Sequence, residues 1–285
     1  MPVLPGLPTV GPAGPAIAVL HTPGPDGPWQ PVRDALAGSG SVVVHARPGG
    51  WLPADPDDPR LRALLGRDYP RYRKMSHPQV RGRFVASRLL LKYAACSVIH
   101  AAPHSVELAY KPGGRPYLRG LDQIDISLSH TDDLLLVGLT RRGWIGVDAE
   151  LSDRRMARTG IERQVCTPAE RRMLDAVPEA DRNAALIRLW TLKEAYSKAI
   201  GQGMRFPFTE FGFGPGDRPV TVLCPDGAPG TGEEWSFATH TVAGDYTISI
   251  ARYDAGFGDT GDTAAGTMLD EGLMQALLEL ADAER

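Results

Sequence analysis

The chain has 285 residues, enough for one large domain or two moderate ones, and its 42% hydrophobic and 23% charged content excludes wholesale disorder and a fibrous protein. A net charge of −3 supplies no global field to attract nucleic acid or an anionic membrane, so any phosphate chemistry must come from local clusters. Cys96, Cys166 and Cys224 lie far apart and form no CxxC pair, which predicts a reducing, cytoplasmic setting. Residues 1–14 lack a basic and an apolar signal region, and no run of about 18 apolar residues occurs, so secretion and membrane spanning are not expected.

The 32 glycines and 25 prolines concentrate at the two ends. Within residues 1–60 short apolar runs at 16–20 and 41–45, separated by Pro and Gly, predict strands and loops. Residues 78–100 carry Val80, Phe84, Leu89, Leu91, Ala95 and Val98 at near-helical spacing, with Ser76 as N-cap ahead of Pro78; Arg81, Arg83 and Arg88 make this helix basic. A Pro/Gly turn at 110–118 leads into apolar runs at 124–130 and 134–140, a β-hairpin, and the run at 144–150 is expected to close one small antiparallel sheet with it.

Thr167, Pro168 and Glu170 predict a capping box at a helix start. A second helix runs over 181–200 and stops at Gly201 and Gly203. Residues 235–253 read as another hairpin that can be laid over 126–142, with His240 matching His130. Two copies of a helix plus a small sheet explain that match; chance likeness between hairpins is the alternative. Leu269, Leu273, Leu277 and Leu280 share one face of an expected terminal helix behind the linker 255–266.

Three constellations carry chemistry. Asp148 and Glu150 end an apolar strand and, two residues apart, point to the same side, where two hard oxygens suit Mg²⁺ held together with substrate phosphates. Taken alone, such a pair is more often a solvated strand edge. In RLWTLKEAYSKAIG (188–201), Ala185, Leu189, Leu192, Tyr196 and Ile200 form an apolar stripe, while Glu194 and Lys198 share the other side with Trp190 and Ile187. That company suggests a covered cleft, and an ordinary surface ion pair is the plainer alternative. Ser129 and His130, following Gly113, Gly114 and Arg115, offer hydroxyl, imidazole and guanidinium groups to phosphate oxygens. No G-x-S-x-G elbow supports a Ser/His/Asp hydrolase.

GRPYL, ISLSH, GVDAE and LWTLKEAYSKAIG, in that order over roughly residues 70–215, resemble the 4′-phosphopantetheinyl transferases of the surfactin-synthetase-activator type, in the branch with a W-x-x-K-E-A signature. Most members have Ile where Ala149 stands and commonly Lys in place of Arg115. The resemblance implies an α+β fold of two similar subdomains, each a helix packed on a small antiparallel sheet, related by a pseudo-twofold. Its expected divisions are 1–143, 144–254 with the metal and catalytic motifs, and 255–285.

It implies Mg²⁺-dependent transfer of the phosphopantetheine arm of coenzyme A to a serine of an apo acyl or peptidyl carrier protein of fatty acid, polyketide or nonribosomal peptide type. Asp148, Glu150 and Glu194 would hold the metal, Glu194 and Lys198 would be catalytic, and Arg83, Gly114, Arg115, Pro116, Ser129, His130 and Lys198 would bind coenzyme A. Arg71 is the candidate upstream ligand among Arg67, Arg71, Arg73 and Lys74. A monomer without nucleic-acid or membrane partners is expected, and the Arg-rich segment 152–174 is a candidate dock for an acidic carrier. A metal-dependent phosphohydrolase and a non-catalytic coenzyme A or carrier-binding module are the rival readings.

Overall fold

The structure, a computed structural model, describes residues 16–214 and 221–254; the expected terminal helix and the Pro/Gly-rich start lie outside them. The first half contains strand β1 (Ala18–His21), helix α1 (Gln30–Ser39), β2 (Ser41–Ala46), the short helices α2 (Arg60–Leu65) and α3 (Tyr69–Lys74), and the long α4 (Pro78–Ile99). A small hairpin, β3 (Leu108–Tyr110) and β4 (Pro116–Leu118), precedes the expected hairpin, β5 (Asp125–Thr131) and β6 (Leu134–Thr140). The second half runs through β7 (Gly143–Leu151), α5 (Glu162–Val165), α6 (Pro168–Ala176), α7 (Arg182–Ala199), the two-residue strands β8 (Gly212–Phe213) and β9 (Val222–Leu223), and the hairpin β10 (Trp235–Val242) and β11 (Tyr246–Asp254).

One sheet has the order β1-β2-β6-β5 and another β10-β11-β7. The sequence strand, helix, hairpin thus occurs twice, as β2–α4–β5–β6 and as β7–α7–β10–β11. The α+β class holds, with one parallel pair, β1–β2, on the first sheet.

Strand periodicity explains the layering. In β6, Leu135, Val137 and Leu139 share a buried cluster with α4, while Leu134 and Leu136 join Ile145, Val147 and Ala149 of β7 and Ile248 and Ile250 of β11. The order across the molecule is therefore α4, first sheet, second sheet, α7. Both faces of β2 and β6 are covered, so residues 42–44 and 134–139 are continuous apolar runs without polar alternation.

The sequence of β7 does not specify its partner. Expected to close the β5–β6 sheet, β7 pairs with β11, placing Asp148 opposite Ser249. Towards β5 it is joined through side chains: the Ile145 amide donates to Asp125, the Val147 amide to Ser127 Oγ, and Thr131 Oγ1 donates to the Ala149 carbonyl. Another correction concerns α4, whose N-cap is His77, without a side-chain cap bond, and not Ser76. The capping box of Thr167 and Glu170 forms as expected.

His21 and His45 sit side by side on β1 and β2 with ring centroids 5.1 Å apart. Burial, then the neighbouring His21 and Arg47 charges, lower the His45 pKa to about 4. The folded protein therefore resists a proton that the unfolded chain accepts near pH 6.5. Stability attributable to His45 is intact above that pH and falls, by on the order of 2–3 kcal/mol, as pH drops to about 4. Denaturant melts of the wild type and of His45→Gln should separate as pH falls from about 6.5 to about 4, the wild type losing stability that the variant, which cannot take up the proton, keeps; parallel pH profiles would contradict this.

Candidate active site

Two elements bring the carboxylates together. On β7 the two-residue period turns Asp148 and Glu150 towards α7 and Ala149 into the core between the sheets. Helix α7 approaches β7 at Gly146, where a Cβ would lie 1.8 Å from the Ala195 carbonyl oxygen and 2.6 Å from the Ala199 nitrogen. Only glycine permits that contact, and it sets Glu194 and Lys198 beside the strand.

A cavity of about 370 Å³ opens there, lined by Gly114, Pro116, Ser129, His130, Asp148, Glu150, Trp190, Glu194 and Lys198 among others. Lys198 Nζ lies 2.5 Å from Asp148 Oδ1 and donates to Ser129 Oγ at 3.0 Å; Ser129 in turn donates to Asp148 Oδ1 at 2.8 Å. Glu194 is 8% exposed. Burial first, then the Asp148 charge, push its pKa up to about 7, against the opposing pull of Lys198. His130 lines the cavity and is exposed; the atoms packed around its ring, then the positive charges of Arg88, Lys198 and Arg83, lower its pKa.

Not all of the expected residues converge. Glu150 lines the cavity, but Arg154 pairs with one of its oxygens and the Leu151 amide donates to the other at 3.0 Å. Among the described residues no three His, Cys, Asp or Glu side chains form a ready metal cluster. Asp148 and Glu194 alone are two buried, mutually repelling carboxylates, a donor set that fits Mg²⁺, which commonly takes one or two carboxylates and completes its shell with water and phosphate.

Arg115 does not line the cavity. Its guanidinium pairs with Asp125 and donates to the carbonyls of Lys198, Ala199 and Ile145, so it caps the end of α7 and ties it to β5 and β7. Arg83 is half-buried, outside the cavity lining, and without a side-chain hydrogen bond among the described residues. Arg71 is exposed and lies over the Phe84 ring. Lys193, beside Glu194 in sequence, turns about 100° away along the helix. There, fully buried, it meets Glu170 at 2.6 Å and donates to the Phe208 and Phe211 carbonyls.

A model of the 4′-phosphopantetheinyl transferase superfamily matches residues 145–251. A phosphopantetheinyl transferase of Thraustochytrium sp. is 30% identical over 230 residues, covering 75% of this chain and 79% of that protein. The chain belongs to this superfamily. The 4′-phosphopantetheinyl transferase of Bacillus subtilis is 22% identical over 209 residues, covering 73% of this chain and 90% of that relative. A Synechocystis sp. protein assigned to the 4′-phosphopantetheinyl transferases is 29% identical over 163 residues, covering 55% of this chain and 66% of its own, just under two thirds.

In this superfamily member the motifs gave no role to several cavity residues, among them the polar Arg88 and Tyr110. Arg88 was visible only as one of three arginines on a basic helix; nothing in the sequence distinguishes it, because its place depends on contacts with distant Tyr110 and Asp68. No helix among the described residues is long and apolar enough to cross a membrane.

Proposed function

We propose that this transferase moves the 4′-phosphopantetheine arm of coenzyme A to a serine of an apo acyl or peptidyl carrier protein, with Mg²⁺ as cofactor, as a surfactin-synthetase-activator-type monomer of the reducing cytosol. The observation that carries the reading is the single cavity in which buried Asp148 and Glu194 meet Lys198, Ser129 and His130. Asp148 and Glu194 would hold the ion, with Glu150 joining when Arg154 releases it. A bound Mg²⁺ neutralises charge on the pyrophosphate oxygens.

The chain's own groups supply the rest. The carrier serine oxygen bonds to the phosphorus bearing the pantetheine arm, and the bond from that phosphorus to the bridging oxygen breaks. Glu194 takes the serine proton. Lys198, anchored on Asp148 and Ser129, is placed to neutralise the pyrophosphate and to give a proton to the leaving adenosine 3′,5′-bisphosphate. Gly114 and Pro116 form the adenine-side wall, and the halves meeting near Gly143 each supply part of the cavity. Chromatography tests this: the bisphosphate should appear only when coenzyme A, Mg²⁺ and a carrier with its serine are all present. Release without carrier would indicate a phosphohydrolase, and coenzyme A binding without release in any mixture would indicate a binding module.

If His130 contacts the 3′-phosphate, His130→Ala weakens coenzyme A binding by roughly 1.5–3 kcal/mol more than dephospho-coenzyme A binding. Equal losses by calorimetry would remove it from that role.

The Arg-rich segment 152–174 borders a second, larger cleft. Arg154 pairs with Glu150 and Arg158 with Glu179, whereas Arg155, Arg163 and Arg171 line this cleft without an ion pair among the described residues. An acidic carrier fits the unpaired three. Replacing them together by Ala should raise the KM for the carrier and flatten its salt dependence, with the KM for coenzyme A unchanged. Unaltered carrier kinetics would make the segment an ordinary solvated surface.

A further inference from the structure

Asp68 is a buried carboxylate outside the cavity, in the turn that leads into α3, and both residues it holds, Arg88 and Tyr110, are in the cavity wall. The Tyr110 hydroxyl donates to Asp68 Oδ2, and Arg88 Nε lies 3.5 Å from the same oxygen, at ion-pair distance. The Arg88 guanidinium is 4.3 Å from the Phe84 ring centroid and 5.9 Å from that of Tyr110, and its Nη1 donates to Ser87 Oγ at 3.0 Å. One charge contact, a ring face and a hydroxyl therefore fix the head of Arg88 at the cavity wall, and they engage only part of the five donors a guanidinium carries.

Around His130 the positive charges of Arg88, Lys198 and Arg83 act together, in a cavity whose wall also carries the carboxylates of Asp148, Glu150 and Glu194. A fixed guanidinium at such a wall suits a phosphate oxygen.

We infer that Asp68 is a positioning residue, which orients Arg88 and Tyr110 so that the Arg88 guanidinium meets a phosphate group of the co-substrate. This rests on the reading of the cavity as the coenzyme A site. Asp68 itself touches no substrate; it acts through Arg88.

The test is a double-mutant cycle in the full chain, with coenzyme A titrated calorimetrically into the wild type, Asp68→Asn, Arg88→Ala and the double variant. Asp68→Asn should weaken binding about ten-fold, Arg88→Ala at least as much, and the double variant no more than Arg88→Ala alone. In kinetics Asp68→Asn should raise the KM for coenzyme A while kcat stays within about two-fold, a split that general loosening of the fold does not produce. Wild-type binding by Asp68→Asn, or losses that add in full, would overturn the proposal. Should Asp68→Asn fail to fold by circular dichroism, Tyr110→Phe, which removes only a hydroxyl, replaces it: about three-fold weaker binding is expected, absent in the Arg88→Ala background, and its persistence there would overturn the proposal. Inorganic pyrophosphate is the second probe. If the wild type binds it but not coenzyme A, the coenzyme A reading fails, and the same four proteins titrated with pyrophosphate still decide the role of Asp68.

Discussion

Asp148→Ala and Glu194→Gln are each expected to lower the transfer rate by a factor on the order of 10²–10⁴ with the fold retained. The first removes a proposed metal ligand and the carboxylate that anchors Lys198 and Ser129. The second removes charge and basicity from Glu194 while keeping its shape. Retention of the fold follows from where these groups lie: both face the cavity, and Glu194→Gln relieves the repulsion from Asp148 that, with burial, raises the Glu194 pKa. Circular dichroism checks the fold and steady-state kinetics the rate. Near-wild-type turnover in either variant would remove the proposed site.

The second large effect is structural. Gly146→Val should cost more than the 1–3 kcal/mol typical of overpacking, because the first atom added collides with backbone of α7 and not with a side chain that can rotate. Relief requires α7 to move off β7, which carries Glu194 and Lys198 away from Asp148. Urea melts should show a much lower midpoint, and transfer should be lost even below the new melting temperature. A variant of wild-type stability and activity would mean that the close approach of α7 to β7 does not set the site.

Much of the site was legible because it obeys local periods. Asp148 and Glu150 are separated by the strand repeat and Glu194 and Lys198 by one helical turn, so each pair could be placed on one face before any tertiary contact was known. What joins the pairs, Gly146, is a single residue whose importance comes from a neighbour some 50 positions away. Helix α1 went unread although Pro31 at its start and Gly40, left-handed at its end, are the usual punctuation; the surrounding Pro/Gly-rich sequence drowned the signal. The pairing of β7 was illegible for another reason. Alternation fixes which face of β7 is buried and not which strand lies beside it, and β5 and β11 both alternate Ser with apolar residues, Ser127 and Ser129 in one and Ser249 in the other.

Glu150 and Arg115 show the same limit at the level of function. Their positions match the motifs, yet the ion pairs with Arg154 and Asp125 that occupy them belong to the tertiary structure. Asp68 lies beyond any motif, since its two partners follow it by 20 and 42 residues along the chain.

Intact-mass spectrometry of apo acyl and peptidyl carrier proteins, incubated with this protein, coenzyme A and Mg²⁺, addresses the central claim without intermediary assays. At least one carrier should gain the mass of one phosphopantetheine arm, and the gain should vanish when its acceptor serine is replaced by Ala or the enzyme by Glu194→Gln. Carriers of every type left at their apo mass by an enzyme that binds coenzyme A would contradict it.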